Sequence, residues 1–273
     1  MTIFNGKKIS QKILAQIKAN LIGVSFSPRL DIVLVGDNPA SLKYVSLKQT
    51  IGQQIGIKVN IHTLPTKTNT VTVLNLIHRL NQDDQLSGLI IQLPLPPHLN
   101  TNSILSAINP KKDVDGLNPT NLGLLFQNNP KAIVSATPLG IIKLLEEYKI
   151  PLDGKNAVII GRSPMVGLPL MALLNNRHAT VTLCHSHTKS LSSICRTADI
   201  LISATGKPNL VTSDFVKKDA VVIDVGYPQG DVDFDAVAPQ CSYISPVPGG
   251  VGPMTIACLM LNTLDIYRKN VRK

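Results

Sequence analysis

Asn156-Ala-Val-Ile-Ile-Gly-Arg-Ser-Pro-Met-Val-Gly167 is the stretch whose reading decides the fold. Ala157–Ile160 is a short apolar run that reads as a buried strand, and an apolar helix is expected over 166–176. Between them lies a turn of small residues. A strand that feeds such a turn and then a helix lets the backbone approach a pyrophosphate at a helix N-terminus. The strict G-x-G-x-x-G spacing fails, because Ser163 stands at the second glycine and Gly167 comes one place late. The dinucleotide reading therefore rests on the strand–turn–helix context more than on the motif.

The next strand, expected over Thr180–Cys184, sharpens the ligand. NAD enzymes usually end it with a carboxylate about 20 residues after the loop, which bonds the ribose 2′-hydroxyl. Here the segment is Cys184-His-Ser-His-Thr-Lys189, with no carboxylate and with Arg162 upstream. Such donors suit a 2′-phosphate, so NADP is expected over NAD. A metal reading of Cys184, His185 and His187 lacks a second pair of ligands nearby. Further strands are expected over Ile200–Ala204, Val221–Val225 and Ser242–Ile244, followed by the loops Thr205-Gly-Lys-Pro208 and Asp224-Val-Gly226. Pro246-Val-Pro-Gly-Gly-Val-Gly-Pro-Met-Thr255 reads either as a rigid turn or as a backbone-lined wall against a ligand.

Upstream, strands are expected over Leu30–Val35, Lys58–Thr63 and Gly88–Leu93, and helices over 6–22, 41–55, 69–82, 101–108 and 138–148. Two more follow over 189–197 and 254–268. The alternation implies parallel strands with crossover helices, and turn-rich Gln127-Asn-Asn-Pro130 marks a boundary near 127–138 between two α/β domains. In the helix over 41–55, Tyr44, Leu47, Ile51 and Ile55 form an apolar face that includes Lys48. A buried lysine needs partners or loses its proton; the alternative is a side chain that snorkels to water. Gln92, closing an apolar strand, needs partners for both amide ends, unless that end is solvated. Lys111-Lys-Asp-Val-Asp-Gly116 lacks the spaced ligands of a calcium loop and reads as an Asp-Gly turn or as an acidic anchor for a heterocycle. Together these residues place a base, a phenol, an amide and a carboxylate at one sheet end.

The totals narrow the function classes. The chain has 273 residues, 44% hydrophobic and 16% charged, so it is globular, and no run approaches the ~20 apolar residues of a membrane span. Net charge of +10 favours anionic partners. Aromatics at 4%, no Trp and scattered basic residues argue against nucleic acid. The basic tail Arg268–Lys273 is expected to be solvated and frayed. The N-terminus has neither signal-peptide nor transit-peptide character, and Cys184, Cys195, Cys241 and Cys258 show no paired spacing; a reduced, cytoplasmic protein is expected.

In order, Val35–Ser41 with Tyr44 and Lys48, Gln92-Leu-Pro-Leu-Pro, Lys112–Gly116, Thr137-Pro138, Gly161-Arg-Ser163, Val166-Gly167-x-Pro169, Thr205–Pro208 and Pro246–Thr255 run the length of the chain. This set resembles the bifunctional methylenetetrahydrofolate dehydrogenase/methenyltetrahydrofolate cyclohydrolase family. The resemblance implies two α/β domains around a cleft, the second a Rossmann-like dinucleotide-binding domain, with the C-terminal helix packing back on the first. It divides the chain as 1–136 plus 254–273 for folate and catalysis, and 137–253 for NADP. It implies oxidation of 5,10-methylenetetrahydrofolate with NADP, then hydrolysis to 10-formyltetrahydrofolate. Carried onto matching positions, Lys48 acts in hydrolysis with Tyr44 and Gln92. Asp115, Ser41, Pro248, Gly249 and Gly250 hold the folate. Gly161, Arg162, Ser163, His185, Ser186, Thr205 and Gly206 hold the cofactor. No metal, nucleic acid or membrane partner is implied, and a homodimer is. Ala136, where Cys is common, Leu117, where Phe is common, and the short 226–231 loop depart from the family pattern. A non-catalytic NADP- or folate-binding sensor on the same fold is the alternative.

Overall fold

The computed structural model describes residues 1–24 and 26–271, with the side chain of Val271 excepted; the end of the basic tail, Arg272 and Lys273, lies outside the described residues. In chain order the elements are β1 (Thr2–Ile3), α1 (Gly6–Asn20), β2 (Arg29–Val35), α2 (Pro39–Ile55), β3 (Lys58–Leu64), α3 (Thr70–Asn81), β4 (Gly88–Ile91), α4 (Thr101–Ser106) and α5 (Pro119–Phe126). There follow α6 (Ala136–Glu147), β5 (Asn156–Ile160), α7 (Gly167–Asn175), β6 (Thr180–Cys184), α8 (Leu191–Cys195), β7 (Ile200–Ser203), β8 (Val221–Asp224), α9 (Phe234–Val237), β9 (Tyr243–Ile244) and α10 (Val251–Val271).

The chain divides into two compact units. One comprises Lys12–Leu124, Lys131–Val134 and Leu259–Lys273. Its strands form a parallel sheet in the order β3-β2-β4. β2 is buried almost throughout, and its one fully buried charged side chain, Asp31, accepts from Arg29, Asn60 and His62 at 2.9, 3.0 and 2.8 Å. Helix α2 starts on Asn38, whose Oδ1 accepts from the Ser41 amide at 3.1 Å, and Pro39 presets its first turn. It lies close on β3 because Gly52 has no Cβ; one there would sit 2.4 Å from Cγ2 of Val59. The end of α10 belongs to this unit, where Asn262 Nδ2 donates to the carbonyls of Val114 and Val134 at 2.8 and 2.9 Å.

The other unit comprises Met1–Gln11, Leu125–Pro130 and Ser135–Cys258. Its parallel sheet has the order β1-β9-β8-β7-β5-β6, the doubly wound pattern of a Rossmann-like domain. One core cluster packs Val158, Ile160, Leu201 and Val222 with Cys184, Cys195 and Cys241. All four cysteines are reduced and buried, and burial pushes the thiols of Cys195 and Cys258 up to about 12.

Three expectations change. Residues 1–11, expected in the first domain, belong to the second unit because β1 pairs with β9; two residues are too short for a periodic signal. The division within the last helix falls after Cys258, inside α10, and not before 254. On α2 the buried stripe is Ser41, Val45, Gly52 and Ile55, while Leu47 is 42% exposed. Of the expected face Ile55 is buried, Tyr44 and Ile51 are half-buried, and Ser41, Val45 and Gly52 supply the rest of the stripe. Lys48 sits within this stripe at helical spacing.

Candidate active site

An open parallel sheet binds ligands where its strand order reverses, beyond the carboxyl ends of the strands. In the β3-β2-β4 sheet that point lies between β2 and β4. Gln92 is the first residue after β4, and its amide nitrogen donates to the Val33 carbonyl at 2.9 Å, which continues the ladder by one bond. Its side chain then turns to α2. Lys48 Nζ donates to Gln92 Oε1 at 2.9 Å, and Gln92 Nε2 donates to the Leu93 carbonyl at 2.8 Å. Ser41 Oγ lies 3.5 Å from that same carbonyl. Tyr44 is half-buried one turn before Lys48.

Burial pulls the Lys48 ammonium below the ordinary lysine range, and the Asp115 carboxylate partly offsets this. Asp115 itself is pushed up by burial and pulled back by Lys48. The segment carrying Asp115 divides its roles by position. Lys112, buried, gives Nζ to the carbonyls of Asn81 and Asp83, both at 2.7 Å, and so closes the end of α3. Asp113 Oδ2 accepts from the Asn118 amide at 2.8 Å and from Asn121 Nδ2 at 2.9 Å, anchoring the start of α5. Val114 fills the core, and Gly116 takes the turn at φ +66°. Two neighbours thus tie Asp115 down from the framework side. Leu117 and Ala136 are both buried.

In the other unit the strand order reverses between β5 and β7. The loop after β5 shows why the glycine spacing is unusual. A Cβ on Gly161 would sit 2.3 Å from the Ala204 carbonyl oxygen, and one on Gly167 1.9 Å from the Gly161 carbonyl oxygen. These two positions close the loop onto itself and onto β7. The middle position needs no glycine: Ser163 Oγ accepts from the Val166 amide at 3.1 Å and tethers the start of α7. Arg162 is exposed. After β6, the His187 amide donates to His185 Nδ1 at 3.2 Å, which leaves the ring proton of a neutral His185 on Nε2. Ser186 is exposed beside it, and Cys184 is buried. Among the described residues no three His, Cys, Asp or Glu side chains come together as a metal site.

Thr205 and Gly206 follow β7 across the same crevice. Their loop is held by Asp231, a residue without any periodic or motif signal in the sequence. Pro248, Gly249 and Gly250 lie in this unit too. Gly249 has φ +109°, and a Cβ on Gly250 would sit 2.6 Å from the Pro246 carbonyl oxygen. The N-terminal segment pins this loop: the Lys7 amide donates to the Gly249 carbonyl at 3.1 Å, and Gly6 packs on Gly250. That role for Gly6 was not legible in sequence.

A doubly wound unit with a glycine loop at its switch point, carried in one chain with a second parallel-sheet unit that half-buries Lys48 at its own, defines a two-unit nucleotide-binding α/β protein. Residues 4–115 match "Tetrahydrofolate dehydrogenase/cyclohydrolase, catalytic domain", and residues 135–271 match "Tetrahydrofolate dehydrogenase/cyclohydrolase, NAD(P)-binding domain". The chain is 48% identical to the Bifunctional protein FolD of Wolinella succinogenes, over 97% of this chain and 96% of that protein. Its structure is similar to that of the bifunctional methylenetetrahydrofolate dehydrogenase/cyclohydrolase from Campylobacter jejuni, with a TM-score of 0.96, 44% identity and coverage of 98% and 99%. It is also similar to the Trypanosoma brucei dehydrogenase-cyclohydrolase complexed with NADP and an inhibitor, with a TM-score of 0.95, 34% identity and coverage of 100% and 99%. The chain belongs to the tetrahydrofolate dehydrogenase/cyclohydrolase family.

Proposed function

We propose that this chain oxidises 5,10-methylenetetrahydrofolate with NADP and hydrolyses the methenyl product to 10-formyltetrahydrofolate. The observation that carries the reading is the Lys48–Gln92 hydrogen bond at the switch point of the first unit. A sensor needs no desolvated amine there, and this speaks for an enzyme over a binding protein.

In hydrolysis, water adds to the cationic methenyl carbon. Neutral Lys48 takes a proton from that water and passes one to N5 as the bond from the carbon to N5 breaks; net, one proton reaches solvent. Gln92 holds the amine in place. Tyr44 flanks it, Asp115 anchors the pterin and Ser41 adds a folate contact; Pro248, Gly249 and Gly250, in the other unit, are assigned to folate by likeness to the family. The cationic substrate further disfavours a charged lysine.

The cofactor fits the second unit on two observations: a tight loop between β5 and α7 in which Gly161 and Gly167 let backbone pack on backbone, and a segment after β6 that offers donors and no carboxylate. NADP supplies the hydride acceptor when bound. Arg162, Ser163, His185 and Ser186 hold its phosphates, and Gly161, Thr205 and Gly206 bound the crevice. The methylene substrate is already close to an iminium, so the chain's task in oxidation is positioning. The folate unit is the one with Lys48, and the NADP unit the one with Gly161. Among the described residues no helix is long and apolar enough to cross a membrane. A cytoplasmic homodimer completes the reading, by likeness to the family. Purified protein given methylenetetrahydrofolate and NADP should generate NADPH absorbance, and supplied methenyltetrahydrofolate should decay faster than in buffer. Failure of both reactions would overturn the proposal.

A further inference from the structure

Asp231 is fully buried, and one of its oxygens gathers three donors. Oδ2 accepts from Ser203 Oγ at 2.9 Å, from the Thr205 amide at 2.6 Å and from Thr205 Oγ1 at 2.9 Å. Thr205 Oγ1 in turn accepts from the Lys207 amide at 3.2 Å. The hydroxyl proton is thereby committed to Asp231 and a lone pair to Lys207, so the loop has one hydrogen-bonding arrangement. Three donors on one oxygen call for a carboxylate, whose charge strengthens each bond.

The surrounding loop is built to hold that carboxylate. The Asp231 amide donates to Asp224 Oδ1 at 3.0 Å, where the Gly226 amide also donates at 2.8 Å, and the Val232 amide donates to Asp224 Oδ2 at 3.0 Å. The Val211 amide reaches the Asp231 carbonyl at 2.9 Å from the far side. Glycines stand at both ends of this short turn because the space is filled: a Cβ on Gly226 would meet the Asp231 amide nitrogen at 2.6 Å, the Gln229 carbonyl oxygen at 2.7 Å and Asp231 Oδ1 at 2.8 Å, and one on Gly230 would meet Asp224 Oδ2 at 2.4 Å. Burial pushes the Asp224 carboxyl up, and its three backbone donors oppose that.

We propose that Asp231 is the positioning residue that sets the Thr205–Gly206 loop for the NADP cofactor, acting from behind the loop and touching no ligand. This rests on the reading of that crevice as the cofactor site. The bonds exist before any ligand arrives, so their contribution is preorganisation: without them the loop must be ordered at the moment of binding.

The test compares Asp231→Ala and Asp231→Asn by calorimetric titration with NADP, alongside hydrolysis of supplied methenyltetrahydrofolate without NADP. Losing the acceptor leaves the Thr205 amide and Ser203 hydroxyl unpaired, so the Ala variant should bind NADP roughly tenfold to thirtyfold more weakly. Asn keeps an acceptor and the side-chain volume without the charge, and should lose about threefold to fivefold. Hydrolysis should be unchanged in both. NADP affinity in the Asn variant indistinguishable from the parent, or hydrolysis falling in step with NADP binding, would overturn the proposal, whether or not the Ala variant folds. A parent that binds NADP but forms no NADPH would sink the proposed activity and leave this assignment standing.

Discussion

Lys48 and Gln92, 44 residues apart, meet through a 2.9 Å bond from Nζ to Oε1, and the amide cannot turn round because its Nε2 is engaged by the Leu93 carbonyl. The choice of partner matters. A neutral amine and an ammonium both donate N–H, so a glutamine oxygen holds the side chain in either state. A carboxylate in that place would hold it only by fixing the charge. Gln92 therefore positions a lysine whose proton is free to leave.

Replacing Lys48 by Met should remove the proton acceptor while keeping length and apolar bulk. Hydrolysis of methenyltetrahydrofolate is expected to fall by about 100-fold to 10,000-fold, the usual contribution of a positioned acid-base group. NADP binding, measured by titration, should persist, since the residue lies in the other unit. Hydrolysis at the parent rate would remove Lys48 from the mechanism.

The pH dependence follows from signs alone. Hydrolysis needs the uncharged amine, so its rate should climb as pH rises through the depressed Lys48 titration. Asp115 is the charge that raises Lys48, so Asp115→Asn should lower it further and move the rising limb to lower pH. Gln92→Glu introduces a carboxylate at bonding distance and should move the limb to higher pH. Profiles of kcat, corrected for buffer hydrolysis, decide this; limbs that coincide for parent and both variants would show that another group titrates.

Most of the framework was legible because parallel strands buried on both faces read as apolar runs; β2, β4, β5, β7 and β8 stand within two residues of expectation. The misses have local causes. β1 holds two residues, and α5 and α9 hold eight and four, too short for a period to emerge. The α2 face is only partly legible: Ile55 lies on the inward stripe as expected, but Ser41 and Gly52, which line it too, are selected by close packing and not by hydrophobicity. Lys48 and Gln92 stood out individually as polar residues in apolar surroundings, but their pairing is a long-range fact. Asp231 was invisible: a carboxylate in a polar turn looks solvated until the chain folds over it.

Cofactor preference hangs on the loops after β5 and β6. With no carboxylate ending β6, NADP should be preferred over NAD by the parent. Arg162, exposed on its loop, carries the positive charge expected to meet a 2′-phosphate. Arg162→Ala should narrow the NADP-to-NAD ratio of kcat/KM by roughly tenfold, the weight of one charge-assisted contact of about 1.5 kcal/mol. The change should fall on NADP and leave NAD almost untouched. Equal use of both cofactors by the parent would refute the reading of residues 184–189.

Two glycine-to-alanine changes should act with opposite sign. At Gly167 the new Cβ would lie 1.9 Å from the Gly161 carbonyl oxygen, a backbone atom that moves only if the whole loop opens. That overpacking is expected to destabilise by about 2–3 kcal/mol, lowering Tm by roughly 4–10 °C. The same displacement should weaken NADP binding. At Gly123, inside α5, nothing lies within 4 Å of the added methyl group. Ala there restricts the unfolded chain and favours the helix, a gain of about 0.5–1 kcal/mol. Thermal unfolding of the two variants beside the parent checks both signs. A Gly167→Ala protein as stable as the parent would mean that the loop is not closed on itself as described, and the cradle assigned to the pyrophosphate would go with it.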